Sequence, residues 1–165
     1  MTMAAPSLKT SLEQRVEQAI SETLQRVAKV DARRVSVEDQ KRHIGRMITC
    51  QVSLSGSGWV GSLTILLPAT AGSRLTQRVS GKTTGDGPKG PDIAEAMGTI
   101  AASIGIAFGK SFNDEDQIVI GMPTVLAGGD VAISFPWGKD FETRQCFTTD
   151  DHPLWVILRL SHTRR

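Results

Sequence analysis

Chemistry in a chain of 165 residues with three histidines, two cysteines and no tyrosine must come from a short roster, and spacing decides which members can act together. The run Gly56-x-Gly58-x-x-Gly61 has the form of a dinucleotide fingerprint. That fingerprint works where a strand turns into a helix whose N-terminus receives a pyrophosphate, with an acidic residue some 20 positions on. Here the glycines lead into a strand-like run, and no acidic residue occurs between Gly61 and Asp86, so they read as a hairpin turn. Cys50 and Cys146 lie in strand-like runs with neither a CxxC nor a nearby histidine. That spacing argues against a metal site and leaves a disulfide between them open. His43 stands alone among polar residues and reads as solvated. Asp92-Ile93-Ala94-Glu95, just after Pro91, has the pattern of a capping box, with Glu95 reaching back to the first free amides of a helix.

The element that must position any of these groups is the stretch from Pro91 to Ser134. It reads as a small-residue helix, a charged turn and then a strand and hairpin, Gln117 to Ser134. No charge occurs from Ala96 to Gly109, and Gly98, Ala101 or Ala102, Gly105 and Gly109 recur every three or four positions. On a helix of 3.6 residues per turn these line one face, with Met97, Ile100, Ile104 and Phe108 beside it. Each glycine weakens a helix by up to about 1 kcal/mol relative to alanine, so close packing against a partner is expected to compensate. Chemistry then belongs to the opposite, wetter side.

Around this helix the pattern predicts an α+β fold: a mostly antiparallel sheet of about six strands with two to three helices packed on it. Residues 1–7 read as a flexible tail. Ser11 with Gln14 forms a capping pattern, followed by an apolar stripe, Leu12, Val16, Ile20, Leu24 and Val27, for a first helix running to Lys29 or Val30. Val35 and Val37 suggest a short edge strand. Ile48, Cys50, Val52 and Leu54, then Leu63, Ile65 and Leu67, alternate as a hairpin. Ala71, Leu75 and Val79 with Gly81 suit a short helix, and 82–91 a loop. Phe135 to Gly138 turns the chain, and Phe141–Thr149 with Pro153–His162 make a final antiparallel pair.

The totals suit one domain over residues 1–165. Nineteen basic against 17 acidic residues give a net charge of +2, with aromatics at 5%. Charges are scattered except for Arg33-Arg34, Lys41-Arg42 and Arg164-Arg165, so a nucleic-acid surface is not expected. The uncharged helical run falls short of the roughly 20 residues a bilayer needs, which implies no membrane partner and a cytoplasmic protein with reduced thiols.

The order of elements resembles the CheX branch of the CheC/CheX/FliY family of bacterial chemotaxis phosphatases. Three stretches carry the resemblance: Trp59 to Ile65, Asp92 to Ala107, and Ile118 to Gly128, where Pro123-Thr124-Val125-Leu126-Ala127-Gly128 has the form of the family's Pro-Thr-Val-x-x-Gly segment. It covers roughly residues 45–160. The resemblance implies a CheY-like response regulator receiver as partner, a homodimer paired through its sheet, and no cofactor of the chain's own, since the receiver brings its magnesium. The family's signature is E-x-x-N on the long helix: the carboxylate pairs with the receiver's lysine and the carboxamide holds the attacking water. The best placement here puts Glu95 at the acidic position and Gly98 where the asparagine belongs; the sole asparagine, Asn113, lies beyond the helix. The resemblance therefore marks Glu95 as the receiver contact, with Thr99 as a substitute hydroxyl. Two signalling readings follow, a weak phosphatase and a non-enzymatic dimeric adaptor using the same helix. A third, free of any family, is an α+β domain with a small-molecule ligand.

Overall fold

In the computed structural model the described residues are 7–36, 45–81, 87–112, 117–128, 140–150 and 152–163. They form three helices, α1 (Leu8–Ala28), α2 (Ala69–Ser80) and α3 (Gly90–Lys110), and seven strands. The strands are β1 (Arg33–Val35), β2 (Met47–Gly56), β3 (Trp59–Pro68), β4 (Val119–Ile120), β5 (Thr124–Gly128), β6 (Phe141–Thr149) and β7 (His152–His162). All pairings are antiparallel, in the order β1-β6-β7-β3-β2, with β4 and β5 both on the outer side of β2. The fold is α+β, as the alternation of the sequence requires.

Two hairpins make the middle of the sheet. β2 and β3 pair from Met47↔Pro68 to Gly56↔Trp59, joined through Ser57 and Gly58. Gly58 has φ 80, a conformation that suits glycine, so the apparent dinucleotide fingerprint is a turn. Its third glycine, Gly61, serves the sheet: a Cβ there would run into the Arg159 carbonyl of β7.

Period-2 alternation sends Ile48, Cys50, Val52, Leu54, Leu63, Ile65, Leu67, Leu154, Val156 and Leu158 to one face, where they share a buried core with Leu12, Val16, Ile20 and Leu24 of α1 and with α3. The helices lie on that face. The alternate residues include Thr49, Ser62, Thr64, Arg144 and Arg159, with Glu142 bridging Arg159 at 2.6 Å and Arg144 at 2.8 Å.

Both ends of the first helix differ from the sequence expectation. Helix α1 starts a turn earlier: Ser7, not Ser11, is the N-cap, and its Oγ accepts from the Thr10 amide at 3.2 Å. The tail therefore does not include Ser7. The helix ends at Ala28 because Lys29 adopts the left-handed conformation at φ 54. Of the strand and hairpin expected over Gln117–Ser134, residues 129–134 lie outside the described residues. Within residues 118–128 the chain runs as one edge strand along β2, with Gln51 opposite Thr124 and Leu54 opposite Ile120. Three residues, Gly121 to Pro123, thus face two on β2, a bulge. Pro123 lacks the amide a ladder needs and sits at that interruption, while the Gly121 amide still donates to the Ser53 carbonyl at 2.9 Å. Residues 129–139, with the expected Phe135–Gly138 turn, lie outside the described residues, as do Val37, His43 and Asn113.

A candidate functional face on the long helix

Helix α3 divides into two flanks. One packs on the sheet: Met97, Ile100, Ile104 and Phe108 are fully buried, and the glycine stripe lets residues 118–125 lie against the helix. A Cβ on Gly105 would sit 3.2 Å from both Ile120 Cγ2 and Val52 Cγ2, and one on Gly109 3.5 Å from Ile118. The first distance is tighter than ordinary van der Waals contact, so glycine is what permits the approach. The expected close packing of this face is present, and it explains how a 21-residue helix tolerates the interior glycines Gly98, Gly105 and Gly109. That length and hydropathy would also suit a membrane-crossing helix, but the apolar side is domain core.

The start of the helix corrects the expected cap. The first turn begins at Gly90, with the Ile93 amide bonded to the Lys89 carbonyl at 3.0 Å. The carboxylate that reaches back is Asp92, whose Oδ2 accepts from the Lys89 amide at 3.0 Å. Glu95 therefore lies in the second turn with no capping role. Capping had to shift because the helix opens before Pro91, which occupies a first-turn position where its missing amide costs nothing.

With Glu95 released, the other flank of α3 is open. Glu95 and Thr99 are exposed one turn apart, and Ile106 continues their stripe at 47% exposure. No hydrogen bond or ion pair engages the Glu95 carboxylate among the described residues. The Thr99 hydroxyl donates to the Glu95 main-chain carbonyl at 3.0 Å, so its proton is used inside the helix and only its acceptor capacity faces outward. Gly98 is buried beside the bulge, where a Cβ would lie 3.5 Å from Pro123 and 3.8 Å from Val125, in ordinary contact. An asparagine there fits at its Cβ without displacing the neighbouring strand.

Beyond the stripe on the α2 side is a cleft of about 320 Å³, lined by Glu95, Thr99 and Asp92 on α3 and by Thr76, Gln77 and Ser80 on α2. Helix α2 is set in place by close packing: a Cβ on Gly72 would collide with the Ile48 side chain of β2. Thr76 is tied to the Gly72 carbonyl at 2.7 Å, and Arg78 to Asp150 at 2.7 Å. Reasoning from sequence passed over Gln77. Its only signal was its place in a helix with Ala71 and Leu75 facing the sheet, and nothing in that pattern links it to Glu95.

The remaining candidates recede. Cys50 and Cys146 are both free and buried, on opposite faces of strands that have β3 and β7 between them. Burial pushes the Cys50 thiol up to about 12 and raises that of Cys146, the latter partly offset by hydrogen bonds to the Leu154 and Phe147 backbone. Neither is poised to react or to bind metal. Among the described residues no group of three His, Cys, Asp or Glu side chains is placed to hold a metal ion.

An α+β layer of this element order and size, with helices on one face of an antiparallel sheet, defines a recognised structural class. Its solved members include CheX from Vibrio vulnificus, at 13% identity and a TM-score of 0.73 over 92% of this chain and 99% of that one. CheX from Desulfovibrio desulfuricans aligns at 14% identity and 0.76 over 92% and 99%. A third is CheX of Borrelia burgdorferi, solved in complex with CheY, BeF3 and Mg2+, at 14% identity and 0.68 over 92% and 98%. This chain has the CheX/CheC-like fold. No protein-family model matches the sequence, and no curated protein matches it.

Proposed function

We propose that this protein is a CheX-like signalling protein that docks a phosphorylated CheY-like receiver on the open flank of α3, with Glu95 as the contact to the receiver's lysine. The observation that carries the proposal is the Glu95 carboxylate itself: exposed, unengaged among the described residues, and placed at the start of the stripe on the lining of the α2 cleft. A carboxylate left without a partner on a rigid helix is available to an incoming cation at no desolvation cost from its own chain. The CheX–CheY complex of a protein with the same fold supports the choice of partner. In this reading the chain works as a cytoplasmic homodimer and supplies no metal. Two sheet edges, β1 and the β4/β5 side, have no strand partner among the described residues, which supports edge-to-edge pairing of two copies.

A second reading rests on Gly98. With no carboxamide at that position, receiver binding need not lead to turnover, and the chain then acts as an adaptor through the same helix. One experiment separates the two. Purified protein is titrated with a panel of CheY-type receivers carrying BeF3 and Mg2+, and phosphate release from the aspartate-phosphorylated receivers is followed in parallel. Binding with release faster than spontaneous hydrolysis identifies a phosphatase. Binding without release identifies the adaptor, and in that case Gly98→Asn is expected to create turnover. Absence of binding to every receiver removes both.

A further inference from the structure

We infer that Gln77 supplies the carboxamide missing from α3 and holds the attacking water across the cleft from Glu95. The inference rests on the receiver-docking reading and names the group that would make it catalytic.

A water molecule placed in line with an aspartyl phosphate needs a neighbour that can both accept a hydrogen bond from it and donate one to a phosphoryl oxygen. A primary amide does both. The chain's one asparagine lies beyond α3, and Gly98 has only a hydrogen where the resemblance calls for an amide. Thr99 has spent its proton on the Glu95 carbonyl at 3.0 Å. Gln77 remains. Its side chain lines the same cleft as Glu95 and Thr99, and its carboxamide has no hydrogen-bond partner among the described residues, since only its main-chain carbonyl is engaged, by the Gly81 amide at 2.9 Å and the Ser80 hydroxyl at 3.4 Å. The residue is half-buried, which limits the rotamers it must give up to hold a water. Its helix is fixed on both sides: Gly72 lies hard against Ile48, and Arg78 is paired with Asp150 at 2.7 Å. A rigid backbone beneath a free amide is the arrangement that orienting a nucleophile requires.

In the step so assisted, the water oxygen bonds to phosphorus as the bond from phosphorus to the aspartate oxygen breaks. The aspartate leaves as carboxylate, and both water protons depart with the phosphate as H2PO4−. The receiver's magnesium neutralises the phosphoryl oxygens. Gln77 neither gains nor loses a proton; it positions.

The test uses the full chain with aspartate-phosphorylated CheY-type receivers and Mg2+, measuring phosphate release at saturating receiver and, separately, affinity for the BeF3 form. Gln77→Ala is expected to slow release at least tenfold and to leave affinity within twofold. Gln18→Ala, which removes an exposed amide on α1, is expected to leave both within twofold, and the far-ultraviolet spectrum of each variant to match wild type. Because alanine is the best helix former, the Gln77 variant keeps α2; Gln77→Asn, which retains the amide on a shorter stem, is expected to recover part of the rate. Equal release by wild type and Gln77→Ala overturns the inference while the docking reading stands. So does tight binding of a receiver by wild type with no acceleration, which leaves the adaptor. Failure to bind any receiver overturns the inference together with the reading beneath it.

Discussion

The two flanks of α3 are built from the same helix and obey opposite rules. On the sheet flank every position is committed: Ile100, Ile104 and Phe108 are fully buried, and Gly105 is a gap into which Val52 and Ile120 fit. On the outward flank Glu95, Thr99 and Ile106 are exposed, and Gln77 and Glu95 face a shared cleft with functional groups that no other described side chain engages. Packing on one side is what lets the other stay unsatisfied. A carboxylate or an amide free to meet a visitor must be carried by an element whose stability does not depend on it, and here the buried flank supplies that stability.

Changes on each flank should therefore have different signatures. Phe108→Ala removes a fully buried ring that also stacks edge-on with Phe112 at 5.2 Å, and is expected to destabilise the fold by about 3–5 kcal/mol in urea or thermal unfolding. Gly105→Leu forces a side chain between Val52 and Ile120 and is expected to cost about 1–3 kcal/mol, visible as a lower unfolding midpoint; a neutral result would mean that the edge strand is loosely held. Asp92→Ala removes the carboxylate that caps the Lys89 amide and is expected to cost about 1 kcal/mol. Glu95→Ala crosses to the open flank. Its stability is expected to stay within about 0.5 kcal/mol of wild type, while receiver affinity falls about tenfold, equivalent to ~1.4 kcal/mol. A Glu95→Ala variant that unfolds early would collapse the distinction between the flanks.

The smallest effect at neutral pH belongs to Cys50. Its thiol ionises near 9.0 when unfolded and at about 12 when buried, so the folded state holds the proton more tightly. The stability linked to this group is fully present below pH 9 and drains away as pH rises toward 12. Thiol-specific reagents at pH 8 are therefore expected to label the native protein far more slowly than the unfolded chain. Prompt native labelling would show that the sheet core opens locally.

Much of this was legible from residue order. The glycine stripe announced a close approach, and alternation in β2, β3, β6 and β7 announced one-sided strands, because both are local consequences of helical and strand periodicity. The cap was misread. Both Asp92 and Glu95 suit the pattern, and which carboxylate serves depends on where the first turn begins, a choice between registers of similar local energy. The bulge in the edge strand had no signal of its own, because Gly121 and Pro123 are turn residues as well as bulge residues, and only the partner strand distinguishes the two.

Composition and period by themselves determined that this chain would make an antiparallel sheet with helices on it, and that α3 would bury one side. Both follow from the geometry of each element alone. What lies across from what was decided by the fold. Gln77 and Glu95 belong to different helices, and their shared cleft exists because Gly72 lets α2 sit down on β2 while the glycines of α3 let it settle against β2 and the bulged edge. Those placements are made by contacts distant in sequence, for which no local spacing carries a signal.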